Sequence, residues 1–246
     1  MDQTAGLLPA RTHVRGRISL VRRALFLVTG GAVLWLALTA LGLFLTRTAA
    51  GRTVTRWDTV ISRWAAAHRT ATLNGWTHLG SSISNTSTVV AVTVVALLVL
   101  GPMLRRWHDA VIVLVAVLGE LVVFVLVTAT VERARPPVPH LDPAPPTSSF
   151  PSGHTAAAMA LHVGLAVICM HSPVPRRAAW PLATLLCLIP VIVAVSRIYR
   201  GMHYFTDVVA GAILGGTWLV LTLRLAAPLD GPARSRGAPA DDGTDY

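Results

Sequence analysis

Six long apolar segments dominate the chain, and each is bounded by charged or proline-rich residues. A helix needs roughly 17 to 25 apolar residues to cross the hydrocarbon core of a bilayer, which is about 30 Å thick. The first segment is apolar around its whole circumference, whereas a helix of a soluble bundle has only an apolar stripe. The pattern predicts six transmembrane helices: Ala24–Leu45, Ser87–Leu104, Ala110–Thr130, Thr155–Met170, Ala179–Val195 and Phe205–Leu223.

The composition agrees with a membrane protein, because 53% of the residues are hydrophobic and only 13% are charged. We therefore expect an all-α, six-span transmembrane bundle that occupies residues 24–224. The flanking residues 1–23 and 225–246 contain too little apolar surface to form a core. They are predicted to be disordered cytoplasmic tails.

The distribution of basic residues indicates the orientation of the chain in the membrane. All 21 of them are arginines, and they fall in the breaks between spans, so the net charge of +10 indicates topology and not a nucleic-acid partner. If the N-terminus is cytoplasmic, the inner breaks contain twelve arginines and the outer breaks nine. The arginine-only basic content and the abundance of alanine are typical of bacteria with GC-rich genomes, for which the compartment would be the plasma membrane.

The outer segment between the first two spans has an amphipathic pattern. Arg56 and Arg63 lie opposite a set of apolar residues at helical spacing. That set is Trp57, Val60, Ile61 and Trp64. The pattern predicts an interfacial helix, which could be either a ramp or lid for lipids or a plain connector.

Three polar clusters are predicted to meet at one membrane face. They are Arg133–Pro137, Ser149–His154 and Ser196–Asp207. A proline-rich loop without a span joins the first two clusters. Two spans and a short turn separate the second from the third, which returns the chain to the same side. In the orientation above, this is the extracytoplasmic face.

Two features of these clusters suit a phosphoryl group. Arg135 and Arg197 carry planar guanidinium groups that can bind phosphate oxygens with two hydrogen bonds each. Ser152 and Gly153 precede a predicted helix, whose first N–H groups lack partners inside the helix and attract anions. These residues are therefore predicted to bind an anionic substrate.

The histidines of the clusters supply the remaining chemistry. If His203 and Asp207 are helical, their spacing of four residues places the carboxylate beside one ring nitrogen, which leaves the other nitrogen free to attack phosphorus. His154 could then protonate the leaving oxygen. Because the arginines and the helix N-terminus can stabilise the transition-state charge, neither a metal nor a cofactor is expected.

These residues together resemble the signature of the type 2 phosphatidic acid phosphatase superfamily. The matching positions are Pro151, Ser152, Gly153 and His154, followed by Ser196, Arg197, His203 and Asp207. The resemblance implies a lipid phosphate phosphatase with His203 as nucleophile, Asp207 as its partner and His154 as general acid. Its substrate would be an isoprenoid diphosphate, phosphatidic acid or phosphatidylglycerol phosphate.

One position departs from the family signature, because Thr128 stands where the family has a lysine. We expect Arg133 to contact the substrate in place of that lysine. The departure leaves open an alternative, a lipid transporter or scaffold that keeps the fold without turnover. Vanadium-dependent haloperoxidases share the catalytic framework, but they resemble soluble proteins.

Three further polar residues lie near these clusters. Glu120 lies within the third span, where an ionised carboxylate is costly, and we expect it to pair with an arginine, although a neutral carboxyl group or a polar cavity would also accommodate it. His140 and Asp142 lie in the loop between the first two clusters. They either shape the head-group site or are solvated loop residues.

Overall fold

The computed structural model describes the backbone of residues 9–144 and 146–226 and the side chains of residues 21–144 and 146–225. Of the predicted tails, residues 1–8 and 227–246 lie outside this description. Residues 9–23, which the sequence assigned to the N-terminal tail, continue the first helix.

The described chain forms eight helices, if each π-helical turn is counted with the helix that it continues. Helix α4 ends in such a turn at Val99–Met103, and helix α6 contains one at Met159–Val163. The helices are α1 Pro9–Arg47, α2 Ala49–Ala67, α3 Ala71–Ser82, α4 Thr86–Met103, α5 Trp107–Thr130, α6 Gly153–Met170, α7 Arg176–Tyr199 and α8 Phe205–Ala226.

Six of these helices are long and apolar enough to cross a membrane, which confirms the predicted all-α, six-span bundle. The spans are Val21–Arg47 in α1, the whole of α4, α5, α6 and α7, and Phe205–Leu225 in α8. They carry many exposed apolar side chains, such as Leu36, Val122 and Leu185. In a membrane protein these side chains face lipid, because lipid tails are as apolar as the side chains themselves.

Helix α8 packs closely against helix α6 through two glycines one turn apart. A Cβ atom at Gly211 would lie 2.4 Å from the carbonyl oxygen of Ser152, and one at Gly215 would lie 2.2 Å from that of Ala156. Small residues at this spacing let two membrane helices approach backbone to backbone. The contact joins the N-terminal ends of α6 and α8, where the second and third polar clusters lie.

Helix α5 is held against α8 in a similar way. The indole of Trp218 occupies the space over Gly119, where a Cβ atom would lie 2.0 Å from the ring. Its Nε1 donates a hydrogen bond of 3.0 Å to the carbonyl oxygen of Val115. Together with α1, these helices enclose a core of buried apolar residues that includes Leu38, Val127 and Leu214.

Two helices occupy the segment between the first two spans. Helix α2 is capped by Thr48, whose hydroxyl accepts a hydrogen bond from the Gly51 amide at 2.9 Å, and it covers the residues predicted to be amphipathic. Trp57 and Trp64 are 70% and 64% exposed, whereas Asp58 is buried against the bundle. The helix is therefore present with its apolar residues outward, and its position at the membrane interface stays a prediction. Helix α3 was not predicted.

Candidate active site

His203 lies in the turn between α7 and α8, not inside a helix as the sequence suggested. Its Nδ1 atom is 2.7 Å from the carbonyl oxygen of Ser149 and 3.8 Å from Asp207 Oδ2, which is too long for a hydrogen bond. Because a carbonyl only accepts hydrogen bonds, Nδ1 carries the proton and Nε2 keeps its lone pair. The expected pairing with Asp207 is thus replaced by a bond to the backbone, with the carboxylate close by.

Burial lowers the pKa of His203 below its ordinary value, and the positive charges of Arg197 and Arg135 lower it further. Asp207 acts in the opposite direction and raises it, without reversing the shift. The imidazole is consequently neutral at pH 7, the form in which its free nitrogen can act as a nucleophile.

Asp207 caps the start of α8 and is held by Arg133. Its Oδ2 accepts a hydrogen bond of 2.9 Å from the Tyr204 amide, and its Oδ1 accepts one of 2.5 Å from Arg133 Nη1. Such a cap explains why the carboxylate turns away from His203, since it satisfies an otherwise unpartnered helix amide.

Arg133 is held by other protein groups in this structure, and its expected contact with the substrate stays a prediction. Its guanidinium is buried between two carboxylates, with Nη2 donating to Asp58 Oδ2 at 2.9 Å, and its Cζ lies 4.3 Å from the centre of the Tyr204 ring. Arg133 does not line the cavity that contains His203 and His154. Two buried negative charges hold it in place, a role the sequence could not show because Asp58 lies far away along the chain.

Ser152 caps the helix that follows it, and its predicted binding of the substrate stays a prediction. Its side chain is buried and caps α6, where its Oγ lies 3.0 Å from Thr155 Oγ1 and accepts from the Thr155 amide at 3.5 Å. Its own amide donates to the Asp207 carbonyl at 2.9 Å. Ser152 therefore shapes the start of α6 and does not line the cavity.

Gly153 and His154 form the first turn of α6, and both line the cavity. A Cβ atom at Gly153 would lie 2.8 Å from the ring of Phe124, so only glycine fits there without displacing that side chain. The amides of this turn have no partner within the helix itself. Such amides attract anions, so the predicted binding of phosphate at this turn stays a prediction that the geometry allows.

His154 is oriented by a residue that the sequence analysis missed. Its Nε2 lies 3.1 Å from Oδ1 of Asn85, the residue before α4. An asparagine just before a helix is usually read as a cap, but Asn85 makes no side-chain capping bond. Its side chain is free to hold the imidazole instead.

Arg135 and Arg197 line the same cavity as the two histidines. Arg135 Nη1 donates to the Met202 carbonyl at 2.7 Å, and Arg197 Nη1 donates to Ser81 Oγ at 2.9 Å. The Nε of each arginine is buried without a hydrogen-bond partner among the described residues. Both side chains are thus fixed at one end beside the two histidines, and their predicted binding of phosphate stays a prediction.

Asp142 lines the cavity and is therefore part of the site, not a solvated loop residue. Its carboxylate accepts bonds of 2.8 and 2.6 Å from Arg200 and one of 3.1 Å from Arg197. Burial raises its pKa, but the hydrogen bonds and charges of Arg200 and Arg197 outweigh burial and lower it. His140 instead lies 3.1 Å from the Pro136 carbonyl and does not line the cavity.

One cavity of about 920 Å³ connects this polar site to an apolar groove between α4 and α5. The groove is lined by Val89, Val90, Val94, Leu97, Leu114, Val117, Leu118 and Leu121. Glu120 also lines it and makes no ion pair with any residue that the structure describes, so the expected pairing with an arginine is wrong. A polar site above an apolar groove suits a molecule with an anionic head and a hydrocarbon tail.

Six spans with two imidazoles and two guanidinium groups above an apolar groove define a membrane phosphatase. Residues 109–229 match the PAP2 superfamily. Phosphatidylglycerophosphatase B of Bacillus subtilis (strain 168) is 31% identical over 166 residues, which cover 64% of this chain and 77% of that protein. The chain therefore belongs to the PAP2 superfamily.

Other relatives agree with this assignment. An undecaprenyl-diphosphatase of Sulfolobus acidocaldarius is 33% identical over 107 residues, which span 44% of this chain and 47% of that protein. The crystal structure of a transmembrane PAP2 type phosphatidylglycerolphosphate phosphatase from Bacillus subtilis has a TM-score of 0.62 and 27% identity, and covers 79% of this chain and 94% of that chain. Aquifex aeolicus LpxE shares the fold, with a TM-score of 0.53 and 21% identity over 66% of this chain and 92% of that chain.

Proposed function

We propose that this protein hydrolyses a lipid phosphate or diphosphate through a phosphohistidine formed on His203, without a metal ion, at the extracytoplasmic face of the plasma membrane. The observation that carries the proposal is the position of His203 and His154 in one cavity that continues into an apolar groove. A lipid can place its phosphate between the two imidazoles and its chain in the groove. Relatives named for phosphatidylglycerophosphate and undecaprenyl diphosphate support a lipid substrate.

In the first step, the lone pair of His203 Nε2 attacks phosphorus, and the bond from phosphorus to the leaving oxygen breaks. His154 gives its proton to that oxygen, which leaves as an alcohol or as a lipid monophosphate. Arg135 and Arg197 bind the non-bridging oxygens, together with the amides of the first turn of α6. Their charges stabilise the transition state without a metal.

In the second step, His154 takes a proton from water, and the water oxygen attacks the phosphohistidine. The nitrogen–phosphorus bond breaks, inorganic phosphate is released, and His203 regains its neutral form. The lowered pKa of His203 favours the first step, because it keeps this nucleophile unprotonated at neutral pH.

The extracytoplasmic location rests on the arginine distribution. The catalytic clusters lie at the opposite ends of the spans from the arginine pairs Arg105–Arg106 and Arg176–Arg177. Arginines are enriched on the cytoplasmic side of membrane proteins. Labelling of single introduced cysteines in intact cells, one beside Arg176 and one in the loop before Ser149, tests the orientation. Labelling at Arg176 alone would contradict it.

Phosphate release tests the reaction. Purified protein in detergent with excess EDTA should release phosphate from phosphatidic acid, phosphatidylglycerol phosphate or a polyprenyl diphosphate. His203→Ala should abolish release, and His154→Ala should slow it by about a hundredfold or more. His171→Ala, at an exposed position outside the cavity, is the matched control. A metal requirement or an active His203→Ala variant would contradict the proposal.

A single-turnover experiment tests the intermediate. Lipid labelled with ³²P should leave an acid-labile, alkali-stable label on the wild-type chain and none on His203→Ala. The alternative raised by Thr128, a transporter or scaffold without turnover, predicts lipid binding with neither phosphate release nor a labelled chain.

A further inference from the structure

Two polar side chains line the apolar part of the cavity, away from the phosphate site. Glu120 belongs to α5 and is 3% exposed, and Thr93 belongs to α4 and is 7% exposed. Both line the cavity. The Thr93 hydroxyl has no hydrogen-bond partner among the described residues, and Glu120 takes part in none of their ion pairs.

Both residues lie deeper in the bilayer than the catalytic histidines. Phe124 contacts Gly153 at the start of α6, and Glu120 is one helical turn, or about 6 Å, further along α5 towards the cytoplasm. Thr93 is about 10 Å along α4 from its first residue, Thr86. They would therefore meet the part of a bound lipid that lies just below its phosphate.

Polar groups in such a place are costly unless something bonds to them. A hydrocarbon chain cannot satisfy a hydroxyl or a carboxyl group, so an isoprenyl chain would leave both without partners. The carboxyl group of Glu120, surrounded by apolar side chains, is favoured in its neutral form, which donates a hydrogen bond. Thr93 can donate one as well.

A diacylglycerol phosphate carries acceptors at this depth, because its two ester carbonyls lie a few bonds from the phosphorus. We propose that Thr93 and Glu120 form a second recognition site, which donates hydrogen bonds to the ester carbonyls of a diacylglycerol phosphate. The inference rests on the proposed lipid phosphatase function and narrows its substrate class from lipid phosphates in general to glycerolipids with ester-linked chains.

Ester-linked and ether-linked phosphatidic acids of equal chain length test this site, because they differ only in the carbonyl groups. Wild-type kcat/KM should be about tenfold higher for the diacyl lipid than for the dialkyl lipid. Thr93→Val and Glu120→Leu should each reduce that ratio severalfold, whereas Thr93→Ser and Glu120→Gln, which keep a donor, should preserve most of it.

The control is Thr184→Val, which makes the same change on α7 at an exposed position outside the cavity and should leave the ratio unchanged. Equal kcat/KM for the two lipids in the wild type, or a ratio that Thr93→Val and Glu120→Leu both leave intact, overturns the inference. Measuring the affinity of His203→Ala for the two lipids separates failure of this inference from failure of the proposed function. A tenfold preference for the diacyl lipid there supports the recognition site even if no phosphate is released, and equal binding overturns it.

Discussion

The amide of Ser152 donates a hydrogen bond of 2.9 Å to the carbonyl oxygen of Asp207, and this contact joins the N-terminal ends of α6 and α8. His154 follows Ser152 by two residues, and His203 precedes Asp207 by four. The distance between the two imidazoles is therefore set by how closely the two helices approach.

Enlarging Gly211 should separate these helices. In Gly211→Ala, the new Cβ atom meets the Ser152 carbonyl oxygen, a backbone atom that cannot move aside without shifting α6. We expect a lower thermal unfolding temperature in detergent, corresponding to about 1 to 3 kcal/mol, and a fall in kcat. The control is Gly216→Ala on the same helix, where the Cβ atom meets the flexible end of Met159 at 3.3 Å. Equal effects of the two substitutions would contradict the proposed spacing.

Removing the charge of Asp58 should reduce stability without weakening substrate binding. Asp58 accepts bonds from Arg133 Nη2 and from the amide and hydroxyl of Thr206 at the start of α8. Asp58→Asn leaves Arg133 with Asp207 as its only carboxylate partner among the described residues, and breaking a buried ion pair of this kind costs about 3 to 5 kcal/mol. We expect a lower unfolding temperature and a lower kcat.

KM should stay unchanged in Asp58→Asn, because Arg133 does not line the cavity. Glu132→Gln, at the exposed neighbouring residue, should leave unfolding temperature, kcat and KM as they are. A large rise in KM with normal stability would restore Arg133 as a substrate contact.

The pH dependence of phosphorylation should follow the lowered pKa of His203. Neutral His203 is the nucleophile, so protonation of His203 should lower the single-turnover rate only below about pH 6.5. The free energy of unfolding should also fall as the pH falls, because His203 binds a proton more readily in the unfolded chain than in the folded chain. The stability due to His203 is complete above about pH 6.5 and is lost progressively below it. A decline that begins above pH 7 would contradict this account.

Truncation of Asn85 should affect catalysis through His154. Asn85→Ala removes the side-chain oxygen that lies 3.1 Å from His154 Nε2, so the imidazole loses its orientation. We expect kcat to fall by about tenfold or more, with a smaller change in KM. Asn74→Ala is a suitable comparison, because the side-chain oxygen of Asn74 has no partner among the described residues. If Asn85 acts only by orienting His154, the double variant Asn85→Ala/His154→Ala should be no slower than His154→Ala alone, and a further loss of kcat would contradict this role.

The sequence by itself determined that the chain spans a membrane, how many spans it has and which residues form the polar clusters. Segments such as Ala110–Thr130 are too apolar and too long for a helix of a soluble protein. Because the hydrocarbon core of a bilayer has a nearly fixed thickness, the length and hydropathy of a segment suffice to identify it as a span. Connectivity then placed His154 and His203 on the same face, because two spans return the chain to the side from which it started. These are properties of neighbouring residues, and they do not depend on which helices touch.

The tertiary structure decided which polar residues face the substrate and which hold the others in place. Arg133 and Arg135 are two residues apart, yet Arg133 is enclosed by Asp58 and Asp207 whereas Arg135 lines the cavity. Asp58, Asn85 and Asp142 take part in the site through contacts with residues that are distant along the chain. The direction of a polar side chain depends on the partners that packing brings within hydrogen-bond distance, and the local pattern does not contain that information.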